Sequence, residues 1–326
     1  MVLVTGGMGF IGSHVCRKLV EEGERVVVFD NIRREQLELL KKVRMPDIYD
    51  QIQLVSGDIR DFALVFETLK RHDIKKIIHT AAITFIPEAI KKPSLTFNVN
   101  TVGSFNLLEA GRILDLEKFV YISTSSTYGD FQYTPADENH PLEPKDIYGA
   151  TKAAADRIAI SYYRTYEMPV TIIRTSSVYG PGDLENRVAK IFIENALQGK
   201  ALELHGGGKL RRDFSYVKDV AKGMVLALKT DKADGEVFNI TGGSDHSIKD
   251  LAMMVKEFIP DTEIRVSEAR PLDVRRGELD ISKAKKILGY TPTYDLRKGI
   301  REYIRWYVDV YAPIFGLNIK NRVMLR

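Results

Sequence analysis

The first twenty residues place a glycine-rich turn between a short strand and a helix. Val2-Leu3-Val4 is apolar, glycines stand at positions 6, 7, 9 and 12, and apolar residues recur at helical spacing from Ile11 to Val20. Positions 7, 9 and 12 satisfy G-x-G-x-x-G, and positions 6, 9 and 12 satisfy the looser G-x-x-G-x-x-G. Such a turn lets the backbone approach a pyrophosphate, which the N–H groups and the dipole of the helix N-terminus stabilise. With a strand before it and a helix after it, the turn predicts a dinucleotide-binding unit.

An acidic residue follows the second predicted strand, at the place where a dinucleotide site needs one. Asp30 comes directly after the strand pattern at 25–29, 18 residues after Gly12. A carboxylate there accepts hydrogen bonds from both ribose hydroxyls and repels a 2′-phosphate, so it favours NAD over NADP. Arg33 and Arg34 offer a phosphate a partner, but beside Glu35 and Glu38 at a predicted helix start they fit a solvated surface better.

Strand and helix patterns alternate through the first half of the chain. Apolar runs predict strands at 52–55, 76–79, 119–123 and 170–174, and helical patterns fall at 62–70 and 99–114. Short connections between such units predict an α/β fold, a Rossmann-like doubly wound parallel sheet. We expect residues 1–178 to form the NAD-binding domain and 179–315 a smaller C-terminal α/β substrate lobe, some of whose segments pack back on the first domain. Residues 316–326, with several basic side chains, are expected to be a mobile tail.

Composition excludes several classes of protein. The chain has 326 residues, 44% of them apolar, which is enough for a sizeable core. The net charge of +4 arises from interspersed charges, so no basic tract predicts a nucleic-acid surface. Cys16 is the single cysteine, which leaves no internal disulfide framework and no Cys-His cluster with zinc spacing, and no metal site is expected. No stretch approaches the roughly 20 apolar residues of a membrane span, and we expect a soluble cytoplasmic protein.

A tyrosine and a lysine stand four residues apart in Tyr148-Gly149-Ala150-Thr151-Lys152. On a helix they would share one face, and a cation near the phenol would favour the phenolate, so that the tyrosine could exchange a proton nearer neutral pH. A solvated helix start is the alternative explanation. The hydroxyl-rich segment Ser123 to Tyr128, at the carboxyl end of a predicted strand, favours the functional interpretation, because a hydroxyl there could hydrogen-bond a substrate oxygen that gains or loses a proton.

Together these motifs resemble the extended short-chain dehydrogenase/reductase family, in particular its NAD-dependent nucleotide-sugar epimerases and dehydratases. The resemblance covers nearly the whole chain and rests on Thr5 to Gly12, Phe29-Asp30-Asn31, Gly57-Asp58, Thr80-Ala81-Ala82, Ser123 to Gly129, Asp137 to Pro144, Tyr148 to Lys152, Val178 to Gly182, Arg212-Asp213-Phe214 and Asp280 to Ala284.

The resemblance implies a role for each residue of the catalytic group. Tyr148 is the acid/base, Lys152 holds the nicotinamide ribose and lowers the pKa of the tyrosine, and Thr124 bridges the tyrosine and the substrate hydroxyl. The residues expected to contact NAD are Gly6, Gly9, Phe10, Ile11, Gly12, Asp30, Asn31, Asp58, Ile59, Ala81, Ala82 and Asn100, together with Tyr148 and Lys152.

The segment after Thr124 separates two branches of the family. The 4,6-dehydratases carry a glutamate, often preceded by an aspartate, where this chain has Ser126 and Ser125. A hydroxyl with a pKa far above 7 cannot supply the acid/base step that removes a 6-hydroxyl, so 4,6-dehydration is disfavoured. Epimerases need no additional carboxylate.

The substrate contacts are expected from both halves of the chain. Thr84 falls where some galactose epimerases carry a lysine, and Ser177 falls where the family has a substrate-contacting Asn, which some uronate-acting relatives replace by a hydroxyl residue. Arg212 and Arg270 are expected to bind the nucleotide diphosphate, since guanidinium groups match phosphate oxygens. Ser125 and Ser126 complete the predicted substrate site. By the same resemblance we expect a homodimer formed by the helices at 99–114 and 149–166.

The sequence therefore predicts an NAD-dependent epimerase of a nucleotide sugar, most simply at C4 of a UDP-hexose or UDP-uronate through a transient keto-sugar. The alternatives that remain open are a dehydrogenase, reductase, decarboxylase or dehydratase of the same family, and a non-enzymatic NAD-sensing protein. The last ranks lowest because Tyr148 and Lys152 are both present.

Overall fold

A parallel sheet of seven strands forms the centre of the computed structural model, which describes residues 1–269 and 274–325. The strands run in the order β3-β2-β1-β4-β5-β6-β9. Their bounds are β1 Val2–Thr5, β2 Val26–Asp30, β3 Ile52–Ser56, β4 Lys76–His79, β5 Lys118–Thr124, β6 Val170–Thr175, β7 Leu202–His205, β8 Arg211–Asp213, β9 Val237–Asn239, β10 Asp245–Ser247 and β11 Ile264–Ser267. The predicted α/β class and doubly wound sheet are confirmed.

Helices cover both faces of this sheet and build most of the second lobe. Their bounds are α1 Phe10–Glu21, α2 Arg34–Arg44, α3 Phe62–Arg71, α4 Ile86–Lys91, α5 Pro93–Phe97, α6 Ser104–Ile113, α7 Ile147–Tyr166, α8 Val188–Leu197, α9 Val217–Lys229, α10 Ile248–Phe258, α11 Ser282–Leu288, α12 Leu296–Trp306 and α13 Ala312–Phe315. The continuous helix predicted at 99–114 is divided: Asn98–Gly103 is π-helical, and α6 follows it.

The strand order places a ligand crevice next to β1. Val2 pairs in parallel register with Val26 on one side and with Lys76 on the other, so the chain leaves β1 toward one edge and resumes at β4 toward the other. The helices that follow β1 and β4 therefore lie on opposite faces, and a gap opens beyond the carboxyl ends of these strands. Every residue of β1, β5 and β6 is buried, as expected for strands covered on both faces.

The second lobe has its own apolar core but also contributes to the first. Phe192, Leu204 and Phe258 lie in the core of the lobe, beside the parallel pair β7 and β11. β9 pairs with β6 of the central sheet, and Met224 of α9 lies in the core beneath that sheet. The second half of the chain thus returns to the first domain, and the domain boundary at 178/179 stays a prediction.

The C-terminal segment is docked on the second lobe, which contradicts the expected mobile tail. The N–H of Lys320 donates to the Leu197 carbonyl at 2.8 Å, and Asn321 Nδ2 donates to the Ala196 carbonyl at 2.8 Å. These bonds satisfy carbonyls at the end of α8 that have no partner within the helix. Apolar side chains of the segment, including Ile319 and Val323, pack against the core of the lobe.

Within the part of the chain that the structure describes, none of the helices has both the length and the apolar character needed to cross a membrane.

Candidate active site

The glycine turn is packed so closely that only glycine fits at its third position. A Cβ atom on Gly12 would lie 2.1 Å from the Gly6 carbonyl oxygen. Gly9 is the N-cap residue of α1 and has no side chain with which to cap it, so N–H groups of the first turn face the crevice. Open N–H groups at a helix N-terminus, reached by backbone without side chains, suit a pyrophosphate. These residues fit the dinucleotide that the sequence predicts.

Asp30 at the end of β2 is tied to the same turn. Its Oδ2 accepts a hydrogen bond of 2.9 Å from the N–H of Met8. Burial raises the pKa of the carboxyl, while hydrogen bonds from backbone N–H groups, that of Met8 foremost, lower it. Oδ1 takes no part in the Met8 bond, and Asp30 lines the crevice beside Asn31, so the carboxylate is placed to accept from ribose hydroxyls.

Thr124 and Tyr148 meet where β5 and α7 adjoin. Asp146 begins α7, because its Oδ1 accepts a hydrogen bond of 2.8 Å from the N–H of Gly149. A Cβ on Gly149 would lie 2.6 Å from the Ser126 carbonyl oxygen, so glycine lets the helix start against the hydroxyl-rich segment. The Thr124 side chain lies beside the Tyr148 phenol and lowers its pKa. The two predicted catalytic hydroxyls are therefore in contact.

The pKa of Tyr148 is not lowered in the way that the resemblance implies. Burial raises this pKa. The Thr124 side chain lowers it most, the guanidinium of Arg187 lowers it next, and Arg276 has a smaller effect in the same direction. Lys152, in contrast, lies with its Nζ 4.0 Å from the centroid of the Tyr121 ring. Burial lowers the pKa of Lys152 to about 7, and Asp156 opposes this shift. The cations that act on the phenol thus come from the second half of the chain.

Most of the predicted site residues line one cleft of about 1020 Å³. Those found on its wall are Gly6, Gly9, Phe10, Ile11, Gly12, Asp30, Asn31, Asp58, Ile59, Ala81, Ala82, Thr84, Thr124, Ser125, Ser126, Tyr148, Ser177 and Arg212. Most of these come from carboxyl ends of strands in the central sheet, which explains why they converge although they are far apart in the sequence.

Two of the predicted residues lie behind the wall of the cleft, and a third is not among the described residues. Asn100 is fully buried behind the wall, where Oδ1 accepts from the Ile83 N–H at 2.8 Å and Nδ2 donates to Thr151 at 3.2 Å. It therefore fixes the segment after β4 against α7 and does not line the cleft. Lys152 is also buried, with 2% exposure, just behind the wall. Arg270 lies outside the described residues.

Three arginines that the sequence motifs did not indicate also line the cleft. Arg44 at the end of α2 donates to the Met8 carbonyl at 2.8 Å and to the Gly182 carbonyl at 2.9 Å, so it joins the glycine turn to the second lobe. Arg187 forms an ion pair with buried Asp183 and donates to Thr84 Oγ1 at 3.2 Å. Arg276 donates to Ser126 Oγ at 3.1 Å. None of them stands in a motif, and their roles come from contacts between distant segments.

The chain is similar to known proteins over most of its length. A family model described as GDP-mannose 4,6 dehydratase matches residues 3–303. A putative UDP-glucose 4-epimerase of Methanocaldococcus jannaschii is 35% identical over 94% of this chain and 98% of its own length. A dTDP-glucose 4,6-dehydratase of Actinoplanes sp. is 32% identical over 94% of this chain and 97% of its own length. The structure of the Thermus thermophilus UDP-glucose 4-epimerase in complex with NAD has 31% identity and a TM-score of 0.83, covering 94% and 99% of the two chains.

The fold and the cleft define an enzyme of the extended short-chain dehydrogenase/reductase class. The chain belongs to the family that the GDP-mannose 4,6 dehydratase model describes, whose members include nucleotide-sugar epimerases and dehydratases. The predicted family is confirmed, and the predicted cofactor agrees with the NAD in the Thermus structure. The matches include both reaction types, so they identify the family without choosing between them.

Proposed function

We propose that this chain is an NAD-dependent nucleotide-sugar epimerase that inverts C4 of a UDP-sugar through a transient 4-keto-sugar. The observation that carries the proposal is that Thr124 and Tyr148 lie together on the wall of the cleft, followed there by Ser125 and Ser126 in place of carboxylates. This pair can exchange the proton of the 4-hydroxyl. The two serine hydroxyls cannot act as the acid/base that a 4,6-dehydratase needs to remove the 6-hydroxyl.

The residues of the first domain would hold the cofactor. The N–H groups at the start of α1 would bind its pyrophosphate, and Asp30 would accept from the adenosine ribose. Asp58, which follows β3, and Ala81, which follows β4, line the same cleft and would contact the cofactor from either side of β2 and β1. Bound NAD supplies the acceptor and donor of a hydride at the sugar carbon, and the protein supplies the proton chemistry.

Tyr148 would take the proton of the 4-hydroxyl and later return it. The Thr124 hydroxyl, which lies beside the phenol, would orient the sugar oxygen and share the proton as it moves. Burial raises the pKa of Tyr148, so the phenolate needs nearby positive charge, and Arg187 supplies the largest such effect. Burial lowers the pKa of Lys152 to about 7, and the ribose hydroxyls of a bound cofactor would accept hydrogen bonds from its ammonium group and favour the charged form.

The second half of the chain would hold the nucleotide diphosphate. Arg212 lines the cleft from β8, and a guanidinium matches the oxygens of a diphosphate. The epimerase names of the Methanocaldococcus and Thermus relatives support uridine as the base, while the Actinoplanes relative acts on a thymidine nucleotide.

Proton NMR of the purified protein with NAD and a panel of UDP-glucose, UDP-glucuronate, dTDP-glucose and GDP-mannose tests the proposal. We expect conversion of one UDP-sugar to its C4 epimer, seen as a new anomeric signal with changed ring couplings, with no steady gain of NADH absorbance. A 4-keto-6-deoxy product would instead establish a dehydratase. Accumulation of NADH equal to the substrate consumed would establish a dehydrogenase, and either result would refute the epimerase.

A further inference from the structure

The guanidinium of Arg276 contacts the hydroxyl-rich segment directly beside the catalytic pair. Its Nη2 donates to Ser126 Oγ at 3.1 Å, and Ser126 N donates to Thr124 Oγ1 at 3.1 Å. The Nε atom of Arg276 is buried and has no hydrogen-bond partner within residues 1–269 and 274–325. The side chain lines the cleft, so a donor without a partner lies at the wall of the substrate site.

Backbone hydrogen bonds hold Arg276 in this position. Phe131 N donates to the Arg275 carbonyl at 2.9 Å, and Ala136 N donates to the Glu278 carbonyl at 2.9 Å. Arg275 N donates to Asp130 Oδ1 at 2.8 Å. The segment on both sides of Arg276 is therefore attached to the loop that follows the hydroxyl-rich segment, and the guanidinium is placed before any substrate arrives.

The charge of Arg276 has no direct counter-charge in the described part of the chain. No carboxylate there lies within 4.0 Å of it, whereas Arg187 in the same cleft is paired with Asp183. Asp130 is occupied by Lys145, and Asp146 caps α7. Burial and the nearby Arg212 lower the pKa of Arg276 to about 10, so the side chain is still charged at neutral pH. A cation in a partly desolvated wall without an anion is costly, and an anionic ligand group would relieve that cost.

The position of Arg276 indicates which part of the substrate would supply the anion. If the proposed function holds, C4 of the sugar lies at Tyr148 and Thr124. In a hexopyranose, C6 is bonded to C5, the neighbour of C4, whereas the diphosphate is attached through C1 on the opposite side of the ring. The other neighbour of C4 is C3, which carries a hydroxyl, so the only group near C4 that can be anionic is a carboxylate at C6. A cation that donates to Ser126, in the same turn as Thr124, would therefore be matched by a C6 carboxylate.

We propose that Arg276 is a specificity-determining residue that binds a C6 carboxylate, so that the preferred substrate is a nucleotide uronate and not a neutral nucleotide hexose. This inference rests on the proposed function for the position of C4. The carboxylate would receive N–H bonds from the Arg276 guanidinium and would lie beside the hydroxyls of Ser125 and Ser126. The diphosphate would remain with Arg212. A uronate would thus neutralise two separate cations of the cleft.

Isothermal titration of the NAD-saturated protein with UDP-glucuronate, UDP-glucose and UDP tests this assignment without requiring turnover. The variants are Arg276→Met, Arg276→Lys and the matched control Arg275→Met, which removes the same charge from an exposed neighbouring residue. We expect Arg276→Met to weaken UDP-glucuronate binding by about tenfold to a hundredfold, as for loss of hydrogen bonds to a charged group. UDP-glucose and UDP should each change by less than about threefold, Arg276→Lys should recover part of the loss, and Arg275→Met should behave as wild type.

Several results would overturn the inference. Equal weakening of all three ligands would make Arg276 a diphosphate ligand, and no weakening would remove it from the site. Equal selective weakening by Arg275→Met would mean a diffuse electrostatic effect. Wild-type protein that binds UDP-glucuronate no more tightly than UDP-glucose would also refute it. Because these are dissociation constants, a selective loss in Arg276→Met would support carboxylate binding even if NMR showed a reaction other than epimerisation.

Discussion

The ammonium group of Lys152 lies 4.0 Å from the centroid of the Tyr121 ring, one helical turn beyond Tyr148. The next turn of the same helix face carries Asp156, which is ion-paired with Arg174 at 3.1 Å. Asp156, the carboxylate that favours the charged form of Lys152, is therefore also the partner of Arg174. Burial lowers the pKa of Lys152 to about 7. The fold thus places Lys152 where burial disfavours its charge, which is typical of residues at functional sites.

This arrangement makes a stability prediction for Lys152→Met. The folded-state pKa of Lys152 is about 7 against an ordinary value of 10.5. The free-energy cost of burying its charge is therefore fully present below pH 7, and it disappears as the pH rises toward 10.5. In the absence of NAD, Lys152→Met should raise the free energy of unfolding at pH 6 by about 2 kcal/mol or more, and the gain should shrink at pH 10. Urea denaturation at the two pH values measures this difference.

A matched control for that experiment is Lys190→Met. Lys190 is also buried, but it is paired with Glu194 at 2.6 Å. Its loss leaves a carboxylate without a partner, so this variant should be destabilised at pH 6. A Lys152→Met protein that is equally destabilised at pH 6 would contradict the prediction.

Tyr148→Phe should reduce kcat by at least about 10²-fold, the effect typical of a general acid/base. The phenylalanine keeps the ring and removes only the hydroxyl that lies beside Thr124, so the melting temperature and the dissociation constant of the nucleotide sugar should change little. Steady-state kinetics with the substrate that NMR identifies, together with titration calorimetry, measure both quantities. Turnover near the wild-type rate would mean that another group carries the proton.

Arg187 should set the pH dependence of the reaction. Its guanidinium lowers the pKa of Tyr148, which burial raises. Loss of the positive charge in Arg187→Met should raise the pKa of the phenol further, so the rise of kcat/KM with pH should move to higher pH. Arg187→Lys keeps the charge and should show a smaller displacement. Profiles of kcat/KM against pH that coincide for wild type and Arg187→Met would refute this role.

Asp30→Asn should relax the preference for NAD. The carboxylate at the end of β2 would accept from ribose hydroxyls and repel a 2′-phosphate, and the amide does neither as well. We expect the ratio of the NADPH to the NADH dissociation constant, measured by fluorescence titration, to fall at least about tenfold. Arg33→Ser tests the surface interpretation of Arg33 and should leave NADH binding unchanged. An unaltered ratio in Asp30→Asn would remove Asp30 from the ribose site.

The predicted homodimer has a specific surface to test. Phe105 on α6 and Tyr166 on α7 are 43% and 53% exposed, and Ile113 lies nearby on α6 with 45% exposure. Light scattering during size-exclusion chromatography should show a dimer for the wild type and a monomer for Phe105→Glu combined with Tyr166→Glu. Phe62→Glu, on α3 with 38% exposure, is the matched control and should remain dimeric. A wild-type monomer at micromolar concentration would exclude this dimer.

Local pattern in the sequence was sufficient for the sheet, the glycine turn and the helix that carries Tyr148 and Lys152. Each of these features depends on the geometry of a single element, so it could be predicted without the fold. They are the apolar strand runs, the spacing of Gly6 to Gly12 and the four-residue spacing of Tyr148 and Lys152. Asp30, Thr124 and the serines after it lie at carboxyl ends of strands, and their convergence follows from the parallel order of those strands.

Only the tertiary structure decided which charges face one another. Arg187 and Arg276 reach the cleft from segments far along the chain, Lys152 packs on Tyr121, Asn100 is turned behind the wall, and the last residues cap α8. Periodicity records whether a side chain is buried, but not its partner across the fold. Arg187, which acts on Tyr148, and Arg276, which would bind a C6 carboxylate, depend on contacts between distant segments. The reason is that electrostatic interactions depend on distance in space and on the local dielectric, not on separation in sequence.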